Sequence, residues 1–184
     1  MAQVAVAKRK YTYEDYLKTP KDKRYELIEG ELLMIPSPIT LHQRISRRLG
    51  FELTRFVEEN NLGEVFYAPY DVYLYDENVV QPDILFISRE RFDIIGEKNV
   101  QGAPDLVIEI ISENSIYRDM VQKRRLYEKF GVKEYWIVIP KEGLVEIYTL
   151  KDNLFQHYKA FHKDTVLESP YLKNIKIHLQ GIFS

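Results

Sequence analysis

The sequence predicts a mixed α/β (α+β) fold: a central mixed β-sheet flanked by helices, with an N-terminal hairpin and a strand-rich C-terminal part. Three observations support this. RYELIEGELLMI at 24–35 sets two strand-like runs on either side of Glu29-Gly30, a tight-turn dipeptide. Ile45, Leu49, Leu53 and Phe56 recur at i, i+4, i+8 and i+11, the stripe of an amphipathic helix. DLVIEIIS at 105–112 is apolar on both faces, as a strand covered from both sides must be.

The elements follow in chain order. Residues 1–10 place Lys8, Arg9 and Lys10 after an Ala/Val stretch and read as a disordered basic lead. Residues 11–184 read as one domain, since 184 residues that are 45% hydrophobic supply one ordinary core. Thr12 and Asp15 stand at N-cap and N3 spacing and open a short helix docked by Tyr16 and Leu17. Pro36 and Pro38 stop the second hairpin run, and a helix over 39–60 ends at Asn60-Asn61-Leu62-Gly63. Strands are expected at 64–68, 70–75 and 79–87, with Asp76-Glu77-Asn78 turning the chain between the last two. Residues 88–104 read as a short helix and a loop around Gly96 and Gly102, and Pro104 leads into the strand at 105–112. Ser115 caps a helix running to about Phe130, with Gly131 as its stop. Strands at 134–139, 144–150, 154–161 and 175–179 complete the chain.

Composition narrows the chemistry. The formal net charge is −2 with a pI near 6.1, so any basic surface must be local. The absence of cysteine excludes disulfides and thiolate metal sites, leaving carboxylates and the 4 histidines as ligands. Positive charge follows the apolar start, the reverse of a secretory signal, and no apolar run approaches the ~20 residues of a membrane span. A soluble cytoplasmic protein with no membrane partner is expected. No P-loop, GxGxxG, HExxH or GxSxG is present.

Three charges stand where periodicity puts the core. Asp83 lies among Val, Ile, Leu and Phe in VVQPDILFIS at 79–88. Glu109 shares a strand face with Val107 and Ile111, while Leu106, Ile108 and Ile110 take the other; ionised and unpaired, it is costly to bury there. Lys123 projects from the middle of a helical stripe of Ile116, Met120, Leu126, Tyr127 and Phe130. Two carboxylates and an ammonium satisfy one another, and a divalent cation completes the balance. Phosphodiester hydrolysis asks for this set: carboxylates to hold Mg²⁺ or Mn²⁺ against the phosphate, and a lysine to orient water or stabilise developing charge. A buried structural salt bridge is the plainer reading of the same residues, and a long lysine can also snorkel outward.

His42 heads the stripe of the 39–60 helix and points inward, as a satisfied core histidine or as a contact to substrate or to a site carboxylate. Glu26 in the first hairpin strand adds a carboxylate or is an exposed strand glutamate. Arg44, Arg47, Arg48 and Arg55 face away from the stripe and, with Lys8 to Lys10, either meet phosphates or form a solvated face that Glu58 and Glu59 interrupt. Tyr67, Tyr70, Tyr73 and Tyr75 suit base stacking, but β-propensity explains them as well.

RYELIEGEL at 24–32, the pair His42-Gln43, VVQPDILFIS at 79–88, GAPDLVIEIIS at 102–112 and RDMVQKRRLYEKFGVKEYWIV at 118–138 together resemble the Uma family of restriction endonuclease-like proteins, a branch of the PD-(D/E)xK nuclease superfamily. The resemblance runs from about Tyr11 to Leu150. It implies a restriction endonuclease-like fold, DNA as substrate, a homodimer, and a Mg²⁺ or Mn²⁺ site on Asp83 and Glu109. His42, Gln43, Glu26 and Gln81 enter as substrate-contacting or supporting residues. Asp83, preceded by Pro82, matches the Asp of the motif and Glu109 its acid, but Ile111 stands where the lysine belongs. Lys123 on the next helix fits that role. Ser112-Glu113-Asn114-Ser115 and Ile139-Pro140 also depart from the pattern. A metal-dependent DNA endonuclease is expected; the alternatives are a non-catalytic nucleic-acid-binding or regulatory module of the same fold and a structural protein whose buried charges lock the core.

Overall fold

At the hairpin tip Glu29 and Gly30 both take left-handed backbone, at φ 52° and 79°, the turn whose twist matches that of two antiparallel strands. β1 (Arg24–Ile28) and β2 (Glu31–Ile35) pair from Ile28↔Glu31 to Arg24↔Ile35. The computed structural model describes residues 10–112 and 117–184. Residues 1–9 of the lead expected over 1–10, and the Ser115 cap with Ile116, lie outside the described residues, while Lys10 pairs with Glu77 at 2.8 Å. Before the hairpin, α1 (Tyr13–Tyr16) is anchored by Asp15 Oδ2, which accepts from the Thr12 backbone N–H at 3.1 Å.

α2 (Thr40–Glu59) buries Ile45, Leu49, Leu53 and Val57, while Phe56 is only partly buried. Each of the four is worth on the order of 2 kcal/mol of burial. After it come β3 (Gly63–Tyr67), β4 (Asp71–Tyr75) and β5 (Asn78–Val80), then β6 (Ile84–Ser88). The strand expected over 79–87 is therefore two strands in two sheets. Pro82 has no N–H to continue a ladder, and the chain changes sheets across 81–83.

A 3₁₀ segment (Arg89–Ile94) and β7 (Asn99–Gln101) fill the stretch expected as a helix and loop. β8 (Leu106–Ile110) follows, then a π-helical segment (Arg118–Lys123) continuous with α3 (Arg124–Phe130). Here the expected α-helix is corrected to a π-helix over its first described turns. The C-terminal part contains β9 (Glu134–Ile139), β10 (Leu144–Lys151), β11 (Leu154–His162), β12 (Val166–Leu167), β13 (Ile177–His178) and α4 (Leu179–Phe183). The strand expected at 175–179 is reduced to two residues because the chain turns into α4 at Leu179.

Two mixed sheets result, a five-stranded one ordered β2-β1-β5-β4-β7 and a six-stranded one ordered β11-β10-β9-β8-β6-β3. β4–β7 and β8–β9 are parallel pairs. Leu106, Ile108 and Ile110 of β8 pack in one core with α2, while Val107 and Ile111 pack in another with Leu126 and Tyr127 of α3. The two-faced reading of β8 thus holds residue by residue.

α3 ends on Gly131, at φ 82°, with the Val132 N–H closing onto Tyr127 O at 3.0 Å. A Cβ there meets no atom, so strain comes from the backbone alone. Gly131→Ala is expected to lower stability by about 1 kcal/mol in urea denaturation. An unchanged midpoint would show that the left-handed cap is not held in solution.

Candidate active site

The change of sheets creates the site. Ile84 pairs with Ile108, so one further step of the antiparallel register brings Asp83 beside Glu109, on the stretch where the chain leaves the ladder. Ile110 is left without a β6 partner, and its N–H donates to Asp83 Oδ2 at 2.8 Å. His42, in the first turn of α2, sets Nε2 at 3.0 Å from the same oxygen. Asp83 is thereby fixed by a strand and a helix at once. Among the described residues, the buried His42 Nδ1 has no hydrogen-bond partner.

Glu109 is 3% exposed. Its Oε1 accepts from Lys123 Nζ at 2.9 Å and from the Tyr127 hydroxyl at 2.6 Å. The Lys123 ammonium also lies 2.6 Å from Glu26 Oε1 and 3.7 Å from Asp119 Oδ1. Arg118 Nε stands 3.2 Å from Asp119 Oδ1 and 3.5 Å from Glu26 Oε2, a buried oxygen with no hydrogen-bond donor among the described residues.

The π-helical segment brings these cations together. Residues five apart are roughly 140° apart around an α-helix, but an i→i+5 helix stacks them on one face. Arg118 and Lys123, five apart, therefore both reach Glu26. Glu26 comes from β1 in the other sheet, so Lys123 ties the two sheets across the cleft.

Glu26, Asp83, Glu109 and Asp119 share the wall of a cleft of about 130 Å³ with His42, Arg24, Arg118 and Lys123. Four carboxyl groups face three fixed cations. Burial, only partly countered by attraction to Lys123, pushes the Glu109 carboxyl up to about 8. Burial acting alone would lower the Lys123 pKa, but Glu109, Glu26 and Asp119 outweigh it and keep the ammonium charged above its ordinary range. Burial and Glu109 raise the Tyr127 hydroxyl well above its usual value, so it stays a donor.

Gln81 lines the cleft too, its backbone N–H donating to Glu26 Oε1 at 2.8 Å. Gln43 does not: it sits next to His42 in sequence but about 100° round the helix, and is exposed. Arg47, Arg48 and Arg55 line a separate groove with Lys176 and His178, where Arg55 pairs with Glu52 and Arg48 donates to the Ile182 and Ser184 carbonyls. Tyr67 packs on α2, its hydroxyl donating to Gly50 O at 3.0 Å, and Tyr73 lies against Tyr13. Sequence reasoning missed Arg24, Arg118 and Asp119 as parts of the cleft, and Tyr127 as a donor to Glu109.

The mixed α+β fold thus gathers carboxylates and a buried lysine at the joint of two sheets. The chain belongs to the Uma2 family, "Putative restriction endonuclease", which it matches over residues 13–180. It is similar to a solved structure described as a putative nuclease belonging to DUF820 from Anabaena variabilis ATCC 29413. The TM-score is 0.77 at 20% identity, covering 94% of this chain and 97% of the other, a likeness that speaks for the fold alone. No curated protein matches the chain.

Proposed function

We propose that the protein is a Mg²⁺- or Mn²⁺-dependent endonuclease hydrolysing DNA phosphodiester bonds, with Asp83 and Glu109 as the metal-holding carboxylates and Lys123 as the catalytic cation. The observation that carries this reading is the convergence of those three residues, from a connector, a strand and a helix, on one cleft. A homodimer, which rests on family resemblance, and a cytoplasmic location are part of the proposal.

The donor chemistry fits such an ion. Among the described residues no group of three or more His, Cys, Asp or Glu is placed to hold a metal. Mg²⁺, however, characteristically takes one or two carboxylates and fills its remaining positions with water and substrate phosphate. The oxygen donors, with four carboxyl groups on one cleft, suit a hard divalent cation. When bound, such an ion polarises the phosphoryl oxygen and lowers the pKa of a water molecule. His42 and the Ile110 N–H keep the Asp83 carboxylate in place. Lys123 holds positive charge against Glu109 in a site of low dielectric, where it stabilises negative charge developing on the phosphate.

Purified protein incubated with plasmid and single-stranded DNA is expected to cleave in Mg²⁺ or Mn²⁺ and not in EDTA. Asp83→Asn should lower the rate by roughly 10²–10³ or more. Absence of metal-dependent cleavage, or cleavage undiminished in Asp83→Ala and Lys123→Ala, sinks the proposal. One observation favours a second reading: among the described residues Glu109 is held by an internal cation, Lys123, and an internal hydroxyl, Tyr127, as in a structural lock. A salt-dependent gel shift without cleavage would support a non-catalytic binding module instead.

A further inference from the structure

Arg24 stands apart from the other cations of the cleft. Lys123 is surrounded by three carboxylates, Arg118 by two, and His42 faces Asp83. Arg24, two residues before Glu26 and so on the same face of β1, also lines the cleft, yet among the described residues no carboxylate is within ion-pair distance of it. Its partner is neutral: Nε donates to Gln81 Oε1 at 3.0 Å.

That contact is built rather than incidental. Gln81 Nε2 donates to Asp71 Oδ1 at 2.8 Å and reaches the Tyr16 hydroxyl at 3.3 Å, while Tyr16 itself donates to Asp71 Oδ1 at 2.8 Å. A carboxylate accepts only, so the amide nitrogen must face Asp71 and the amide oxygen must face Arg24. The Gln81 backbone is held as well, through its N–H to Glu26. Gln81 therefore fixes one edge of the guanidinium and leaves the two terminal nitrogens of the fork to the cleft.

We propose that Arg24 is a substrate-binding residue that grips a phosphate of the nucleic-acid strand, and that Gln81 is the positioning residue aiming its fork. The inference rests on the reading of the cleft as one that takes DNA. A planar guanidinium held at Nε offers two parallel N–H donors, which match two phosphate oxygens. An acidic partner would have competed with the phosphate, whereas a neutral amide orients the fork and leaves its charge available. Asp71 and Tyr16 then act through Gln81 without touching the strand.

The test is binding of a short fluorescein-labelled DNA duplex by anisotropy in EDTA, over a range of salt concentrations. Arg24→Ala is expected to weaken binding about ten-fold and to reduce the salt slope by roughly one phosphate. Arg24→Lys keeps the slope but loses part of the affinity, and it carries the test if the alanine variant folds poorly. Gln81→Leu weakens binding by less, and Arg24→Ala/Gln81→Leu binds no worse than Arg24→Ala, a non-additivity that a merely structural Gln81 would not show. Failure of the wild-type chain to bind, or an Arg24→Ala variant with unchanged Kd and slope, overturns the inference. Metal-dependent cleavage with Arg24→Ala binding unchanged removes this inference and leaves the nuclease reading. Loss of binding in Arg24→Ala with no cleavage under any metal does the reverse.

Discussion

Lys123→Met is expected to destabilise the metal-free protein by about 3–5 kcal/mol, the penalty for removing one partner of a buried ion pair. The lysine is 2% exposed and lies within ion-pair distance of Glu26, Glu109 and Asp119. Methionine fills similar volume with no charge, so most of the loss comes from the carboxylates it leaves behind. Adding Glu26→Gln to Lys123→Met should recover part of the loss, because one uncompensated charge goes with it and residues in one network do not add. Urea denaturation at neutral pH gives all three values. A Lys123→Met midpoint equal to wild type would mean that the lysine does not hold the two sheets together, and the account of the cleft would fail with it.

The same residue shows why a buried charge network occurs here. A salt bridge this deep is weak evidence for stability by itself, since desolvation offsets much of the attraction. It does specify geometry: Lys123 meets Glu26 from the five-stranded sheet and Glu109 from the six-stranded one, so only one relative placement satisfies it. Arg118 repeats the link to Glu26 from five residues away, which the π-helical segment permits and an α-helix would not. π-helical turns concentrate at functional sites, and here the extra residue per turn is what brings a second cation to the cleft.

Legibility in the sequence followed the geometry. Glu109 was visible for the right reason, because β8 is regular and its faces alternate as the period of two requires. Asp83 was visible for a partly wrong one. Its apolar neighbours suggest a continuous strand, whereas the chain leaves the ladder at Pro82 and Asp83 serves the connector. Lys123 survived the change from α- to π-helix because it stands at the junction, with regular α-helix beginning at Arg124. Arg118 was hidden by it, since a stripe at 100° per residue places Arg118 elsewhere, whereas Asp119, four residues before Lys123, shares its face under either period. Arg24 and Gln81 left no periodic signal. A charged residue opening a hairpin strand reads as solvated, and only the residue that follows β5, the strand paired with β1 in the same sheet, gives it a partner. Gln43 shows the converse, since adjacency in sequence to a cleft histidine says nothing about direction on a helix.

Glu109→Gln is expected to separate activity from stability, abolishing metal-dependent cleavage while making the metal-free protein more stable at alkaline pH. The folded-state pKa of Glu109 is raised to about 8 from 4.5, with burial as the largest cause. A carboxyl raised on folding contributes stability that is fully present below its unfolded value and is lost as pH rises through the folded one. Wild-type stability should therefore fall across pH 4.5 to 8, by at most about 1.4 kcal/mol per pH unit for one proton. Glutamine mimics the protonated carboxyl, its oxygen still accepting from Lys123 and Tyr127, but it has no proton to lose. Its stability should run flat where wild type declines, and the two curves should diverge most near pH 8. Adding Mg²⁺ or Mn²⁺ at that pH should close the gap by stabilising wild type selectively, since ligand binding to the folded state displaces the equilibrium only where the ligand binds. Thermal unfolding with and without metal, from pH 5 to 8, reads both effects. Parallel curves for the two proteins would show that Glu109 is ionised throughout, and equal metal stabilisation of both would place the ion elsewhere.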